Sequence, residues 1–364
     1  MQELYIISPL ANLSKRTRLN KLVDFWFNNR KESIVHVCWE REKGDVIEDE
    51  FSDVRKKIIL TGGGYQGVKV RFMYFLWFTK VFFNSWFIPK GSIVWCLGFE
   101  STLPLIPASK IKKIHVIYDD ADRFSMIFKM PKFIRAIVEK MEFFCSKNVK
   151  WHIVPSLERY DKITDKMIVI PNIPSAMSLE KAKLFYQNNK WESSKLIINV
   201  NGWLSDNRGI KLLYEVVKNF SKEDVLVYMS GKLSSSYANK LSELSNVIYL
   251  GHVSNHVTIA SCFASDFVFT FYDPSVEINR YAESNKWGDA IMTNCGILSN
   301  SEIISVKKYV DSKVAITSDY NCDSLYDLIV KLTTNDFLKD KIKENVSLEA
   351  DKIISFENYL GRLL

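Results

Sequence analysis

Residues 277–296, EINRYAESNKWGDAIMTNCG, decide how this chain is read. The run Phe267-Val268-Phe269-Thr270-Phe271 precedes them and reads as a buried strand. A polar turn follows, Tyr272-Asp273-Pro274-Ser275. Asn285-Lys286 then opens a helical stretch that carries Asp289 and stops at Gly296. A helix start offers N–H groups to phosphate oxygens. Lys286 adds a full positive charge, and Asp289 can accept from ribose hydroxyls. Together these parts describe a nucleoside-diphosphate site, with Ser284, Asn285, Lys286 and Asp289 at its centre.

Upstream, Val200-Asn201-Gly202-Trp203-Leu204-Ser205-Asp206-Asn207-Arg208-Gly209 follows a strand and precedes a helix over 210–220. Gly202 lets backbone come close to a ligand. Arg208 at a helix start can clamp a pyrophosphate bidentately. The plain alternative is a βα turn with a solvated arginine. Ser230-Gly231-Lys232 and Gly251-His252 each follow a strand and read as turns, with a nucleotide contact as the functional alternative.

Strands and helices alternate along both halves. Strands are expected at 4–7, 34–38, 57–60, 92–96, 114–118, 152–154 and 167–170, with helices at 18–27, 70–87 and 127–145. The last helix is expected to carry Lys132, Arg135, Glu139 and Glu142 on one face. Pro171-Asn172-Ile173-Pro174-Ser175 breaks the series, and the polar segment to Ser194 reads as a linker. A second series places strands at 196–200, 225–228, 247–250, 267–271 and 290–292. Such alternation specifies parallel, doubly wound sheets, hence an α/β fold. The expected domains are residues 1–175, a linker 176–194, a second domain 195–350, and a C-terminal helix 351–364 crossing back to the first.

In the first half, Asp119-Asp120-Ala121-Asp122 directly follows a strand. Neighbouring carboxylates repel, and at a strand's carboxyl end they would face a cleft. The alternative is an N-cap cluster. Glu100 also follows a strand and reads either as an acceptor contact or as a helix cap. Lys15, Arg16 and Arg18, between the first strand and helix, would meet phosphate or form a solvated basic loop. The loop Thr61–Gly67 is glycine-rich but lacks the residues of a P-loop.

The 364 residues suffice for two domains, and 47% hydrophobic with 25% charged content marks a globular chain. Six scattered cysteines without a CxxC pair read as buried free thiols in a reducing compartment. The N-terminus has no basic region followed by an apolar stretch, so no signal peptide is expected. Residues 1–190 hold 31 Lys and Arg against 20 Asp and Glu, a net of +11. Residues 191–364 hold 18 against 22, a net of −4. Nucleic acid and an anionic membrane both suit the basic half, and its aromatic content favours the membrane. The apolar window 72–88 contains Lys80 and is flanked by Arg71 and Lys90. It reads as a core helix or an interfacial helix in preference to a transmembrane span, Trp77 and Trp86 supplying inserted rings in the interfacial case.

These motifs resemble retaining GT-B glycosyltransferases of family 4. The family's donor element is matched by Ser284-Asn285-Lys286 and by Asp289, which stands where glutamate is usual. Its acidic partner eight positions upstream falls on Tyr281, with Glu277 and Glu283 nearby. The family's glycine-rich phosphate element is matched by Gly202, Leu204, Arg208 and Gly209, with Trp203 in place of its arginine. The turns at Gly231, Lys232 and Gly251 match turns that approach the nucleotide. Asp119 and Asp122 match its acidic stretch in the first domain, Ala121 replacing the histidine. The resemblance implies a GT-B fold, two Rossmann-like domains facing a central cleft. It implies Asp122, Asp119, Arg208 and Lys286 as catalytic residues and Glu100, Arg16 and Arg18 as acceptor-binding. The donor would be a nucleotide diphosphate sugar, the acceptor a glycan or a polyprenyl-diphosphate-linked glycan. No metal, cofactor or nucleic acid is expected. The place would be the cytoplasm, on the inner face of the cell membrane.

Overall fold

The computed structural model describes residues 3–14, 16–30, 32–46, 51–65, 67–127 and 130–364. Lys15 and Gln66, within two of the loops named above, lie outside these residues. The described residues hold two all-parallel sheets. The first comprises β1 (Leu4–Ser8), β2 (Ile34–Glu40), β3 (Arg55–Thr61), β4 (Ile93–Leu97), β5 (His115–Asp119), β6 (Trp151–Val154) and β7 (Met167–Val169). Their order is β3-β2-β1-β4-β5-β6-β7. The second comprises β8 (Leu196–Leu204), β9 (Val225–Leu233), β10 (Val247–Tyr249), β11 (Phe267–Thr270), β12 (Gly296–Asn300) and β13 (Ala315–Ser318). Their order is β10-β9-β8-β11-β12-β13. Each sheet is wound outward from its first strand in both directions, the Rossmann pattern. The order reverses between β1 and β4 in one sheet and between β8 and β11 in the other.

The chain divides into two compact units, Met1–Pro171 with Tyr359–Leu364, and Asn172–Asn358. Each sheet buries continuous apolar strands, as two-sided coverage by helices requires. In the first unit Ile7, Val37, Trp39, Val94, Cys96 and Val116 pack with Trp77 of the helix Val68–Ser85. In the second, Val200, Val227, Phe267, Phe269, Ile297 and Leu298 pack with Trp287 and Ile329. All six cysteines are free and five are buried, as the sequence suggests.

Several local expectations are corrected. Residues 176–194 are not a bare linker. Ser175 caps a helix, Ala176–Asn188, by accepting from the Ser178 N–H. Ala182 of that helix packs on Ile259 and Ala260 of the helix Asn255–Phe263. Ala290-Ile291-Met292 lies inside the helix Asn285–Met292 rather than in a strand. A three-residue apolar run fits either state, and here it is the buried face of a helix. The strand comes later, at β12. Ser230-Gly231-Lys232 is not a turn, because β8 and β9 overrun their neighbours and stay paired through Gly202↔Gly231, Trp203↔Lys232 and Leu204↔Leu233. The helix expected over 127–145 starts only at Lys132, after Pro131, and runs to Asn148. Proline restricts the residue before it, so the helix begins after it. Trp77 is fully buried and stacked on Trp39 at 6.3 Å, so it is a core ring, not an inserted one.

Candidate functional site

The second unit brings three separated segments to its switch point. In doubly wound sheets, ligands bind outside the carboxyl ends of the strands where the order reverses. Here those ends belong to β8 and β11. Beyond β8 the chain makes a one-turn 3₁₀ helix, Asp206–Arg208, then Gly209 at φ 72°. A side chain at Gly209 would meet Phe271 Cβ at 2.5 Å, so the turn is pressed onto the end of β11. That placement lays the Arg208 guanidinium 4.5 Å over the Tyr272 ring.

Beyond β11, Tyr272 is buried and fixed at both ends. Its N–H donates to Asn300 Oδ1 at 2.8 Å, and its hydroxyl donates to Ser284 Oγ at 2.8 Å. Ser284 in turn caps the helix Asn285–Met292, accepting from the Lys286 N–H at 3.3 Å. Trp287 sets the rotation of that helix, because its Nε1 donates to Thr270 Oγ1 at 2.8 Å and its ring is fully buried. Gly288 allows the helix to press on the chain at Asn172, whose carbonyl oxygen would stand 1.9 Å from an added Cβ. With Trp287 inward, Lys286 and Asp289 share the neighbouring face at i and i+3.

Lys286 thereby comes to Gly202. A Cβ on Gly202 would lie 3.6 Å from Lys286 Cε and 3.9 Å from its Nζ. Burial first, and the nearby Arg208 second, push the half-buried Lys286 ammonium down to about 7. Two cations gathered beside a strand end, one of them straining to lose its proton, are a feature folding alone does not favour. An anion between them relieves both. A diphosphate has the charge and reach to bridge two cations so placed.

The remaining candidates sort around it. Gly202 and Trp203 sit on the overrunning end of β8, and Trp203 is exposed. Gly231 is the backbone contact of that overrun: its N–H donates to the Gly251 carbonyl at 2.8 Å, and its carbonyl accepts from Tyr249 at 2.7 Å. Lys232 and Asn285 are exposed, and Glu277 opens the short helix Glu277–Arg280 that Tyr281 ends. Glu283 is withdrawn from the site, accepting from Lys308 at 3.0 Å and from Tyr309 at 2.7 Å. Ser284 accepts both from the Lys286 N–H and from the Tyr272 hydroxyl, so its side chain already occupies the start of this helix. Tyr272 was missed in the sequence, where it read as part of a polar turn. Its place directly after a buried strand and before Asp273-Pro274 was the available signal.

The first unit has its own cluster at the β1/β4 switch point. Asp119, at the end of β5, is fully buried and accepts from Arg18 at 2.9 Å and from Trp95 at 3.0 Å. Burial raises its carboxyl above the usual range against the pull of Arg18. Arg18 also donates to the Ile170 carbonyl. Asp119 and Arg18 thus form a largely buried pair that ties strand ends together. Asp122 stays half exposed, 3.9 Å from Arg16. Glu100 sits one residue inside the helix Phe99–Thr102, folded back so that its carboxyl occupies the space over Gly98. Burial pushes that carboxyl up to about 7, with Arg41 and Arg16 pulling it down and Asp120 adding to the rise. Asp120, in the same carboxylate run, is buried and accepts from Tyr160 at 2.5 Å.

No family model matches the chain, and no curated protein is significantly similar to it in sequence. Solved structures are similar in fold. Sucrose-phosphate synthase from Thermosynechococcus elongatus aligns at TM-score 0.70 with 11% identity, over 100% of this chain and 98% of that one. A glycosyltransferase from Rickettsia africae aligns at 0.66 with 14% identity, over 100% and 97%. Anabaena HepE in complex with UDP-glucose aligns at 0.65 with 12% identity, over 100% and 98%. An S. aureus MnaA–UDP structure aligns at 0.61 with 11% identity, over 100% and 98%. At such identities the likeness establishes architecture alone, and that architecture is the two-domain α/β fold of GT-B proteins.

Proposed function

We propose that this chain is a glycosyltransferase that moves a sugar, with retention, from a nucleotide diphosphate sugar to a glycan or lipid-linked acceptor in cell-surface polysaccharide synthesis. The observation that carries the reading is the pairing of Arg208 and Lys286 beside Gly202 at the second switch point. The fold neighbours solved with UDP and UDP-glucose support a nucleotide-sugar donor. In the proposed mechanism the two cations hold the β-phosphate and take up leaving-group charge as the glycosidic bond breaks. The same phosphate accepts the acceptor's proton on the front face. No protein nucleophile or metal enters this scheme. Asp122, Arg16 and Glu100 hold the acceptor hydroxyl side, with Asp119 and Arg18 positioning them. The site of action is the inner face of the cytoplasmic membrane.

A second reading, a nucleotide-sugar epimerase, is favoured by Glu100. A carboxyl titrating at about 7 suits proton abstraction and return. Structures titled UDP-N-acetylglucosamine 2-epimerase also share the fold, one at TM-score 0.60 and 11% identity. A third is a binding protein of the same pathway without turnover. The decisive experiment incubates the protein with a panel of radiolabelled nucleotide sugars, with and without a membrane extract. Label moved to the extract supports transfer, isomerised donor supports the epimerase, and binding without turnover supports the third reading. No nucleotide binding at all would reject the clamp on which all three depend.

Asp289 tests the ribose contact. Asp289→Asn raises the dissociation constant for UDP measured by calorimetry, while the melting temperature stays near wild type. Asp289→Glu is milder, because it keeps the charge and acceptor oxygens. A large loss of stability with unaltered UDP affinity would make Asp289 a structural helix residue instead.

A further inference from the structure

The helix Lys132–Asn148 is inside out. Its buried residues are Glu142, Cys145 and Ser146. Glu142 accepts from Arg123 Nε at 3.0 Å and from the Ser125 N–H at 2.8 Å. The opposite stripe, Phe133, Ile137, Met141 and Phe144, recurs at helical spacing and is exposed, Phe133 at 68%. A surface helix of an isolated globular unit shows the reverse.

This helix belongs to a layer. The helix Ile106–Lys112 touches the helix Val68–Ser85, and the turn Leu103–Leu105 between β4 and that helix touches both it and the helix Lys132–Asn148. Phe72, Phe75, Phe83 and Phe87 are exposed on or just past the 68–85 helix, and Ile111 on the 106–112 helix. Of the seven exposed phenylalanines among the described residues, six lie in this layer. The three helices carry nine Lys and Arg against two Glu, and Glu142 is buried. Outward apolar side chains gathered on helices of one layer mark a binding face, and cations among outward aromatic rings match an anionic lipid interface. Among the described residues no helix is long and apolar enough to cross a membrane, so the apolar surface lies along the unit rather than through a bilayer.

We infer that the first unit docks on an anionic membrane through this three-helix face, with the 132–148 helix inserting Phe133, Ile137 and Phe144 among lipid head groups. The inference deepens the membrane-side reading proposed above and rests on it for its purpose, though not for its geometry. The test is flotation with phosphatidylglycerol and phosphatidylcholine vesicles. The wild type floats with phosphatidylglycerol at low salt and is largely released at about 1 M salt, where the screening length is roughly 3 Å. The variant F133S/I137S/F144S floats at least about tenfold less, because three outward apolar side chains no longer insert. It melts cooperatively and binds UDP as the wild type does, since none of the three lies in the second unit. A second variant, F72S/F75S/F83S, weakens flotation in the same way. Undiminished flotation of F133S/I137S/F144S would overturn the insertion. So would a wild type that never floats, or one that sediments as a dimer which the triple change makes monomeric. Flotation without UDP binding would keep this inference and reject the donor site.

Discussion

Lys286→Ala and Arg208→Ala each weaken UDP binding about 10- to 100-fold, because each removes a charge-assisted contact of about 1.5–3 kcal/mol. The two changes together cost more than the sum of the single losses, since removing either cation relieves the repulsion on the other and so softens each single loss. Lys286 also gives the binding a pH signature. Its folded ammonium titrates at about 7, while the unfolded one keeps an ordinary lysine value. A bound diphosphate favours the charged form, so binding takes up a proton above neutrality. UDP affinity therefore falls as pH rises above about 7, and Arg208→Ala flattens that fall. Stability runs the opposite way. A lysine whose folded pKa is depressed costs stability fully below about pH 7 and releases that cost as pH rises toward the unfolded value. Lys286→Met is accordingly expected to raise the melting temperature at pH 6–7 while weakening UDP binding as Lys286→Ala does. Unchanged UDP titrations in both alanine variants would dissolve the clamp.

Gly231→Ala combines backbone strain with a backbone clash in the second unit. At φ 123° an alanine is strained, and its Cβ would stand 2.0 Å from the Gly202 carbonyl oxygen. Backbone strain of about 1–2 kcal/mol and overpacking of about 1–3 kcal/mol add. Thermal unfolding should drop by roughly 4–20 °C for a unit of this size. Gly251→Ala provides the contrast. It has φ 87° but nothing within 4 Å of the added Cβ, so it bears only the backbone strain. Equal losses in the two variants would show that the β8–β9 approach is not what Gly231 serves.

The alternation of strands and helices was legible because both sheets are covered on two sides, and runs such as Ile34–Val37 or Val225–Val227 are buried. The ends of β8 and β9 were not. Gly202 and Gly231 look like loop residues, and only their mutual pairing makes them strand. The helix Ala176–Asn188 was hidden by its polar composition, with Ala182 its lone buried residue. Lys286, Arg208 and Gly202 were legible as a set, because each follows a strand at a spacing that returns it to one sheet edge. The roles of Ser284 and Glu283 were not. The Tyr272 hydroxyl on Ser284 and the Lys308 ammonium on Glu283 are partners that no local pattern predicts. Asp119 and Arg18 stand 101 positions apart, and their pairing is equally non-local. The outward stripe of the 132–148 helix was written in the sequence, but periodicity gives an apolar face without saying which way it points.

The closing residues of the chain bear on how the protein is made. Tyr359–Leu364 belong to the first unit, where Leu360 is fully buried and Leu363 nearly so. A ribosome delivers residues 1–171 first, then the whole second unit, and only then these two leucines. At about 5–20 residues per second, the first unit waits roughly 10–40 s for its last core side chains. During that wait the second unit, whose residues are continuous in sequence, can complete its own core. The last two core leucines of the first unit are thus made only after the whole of the second.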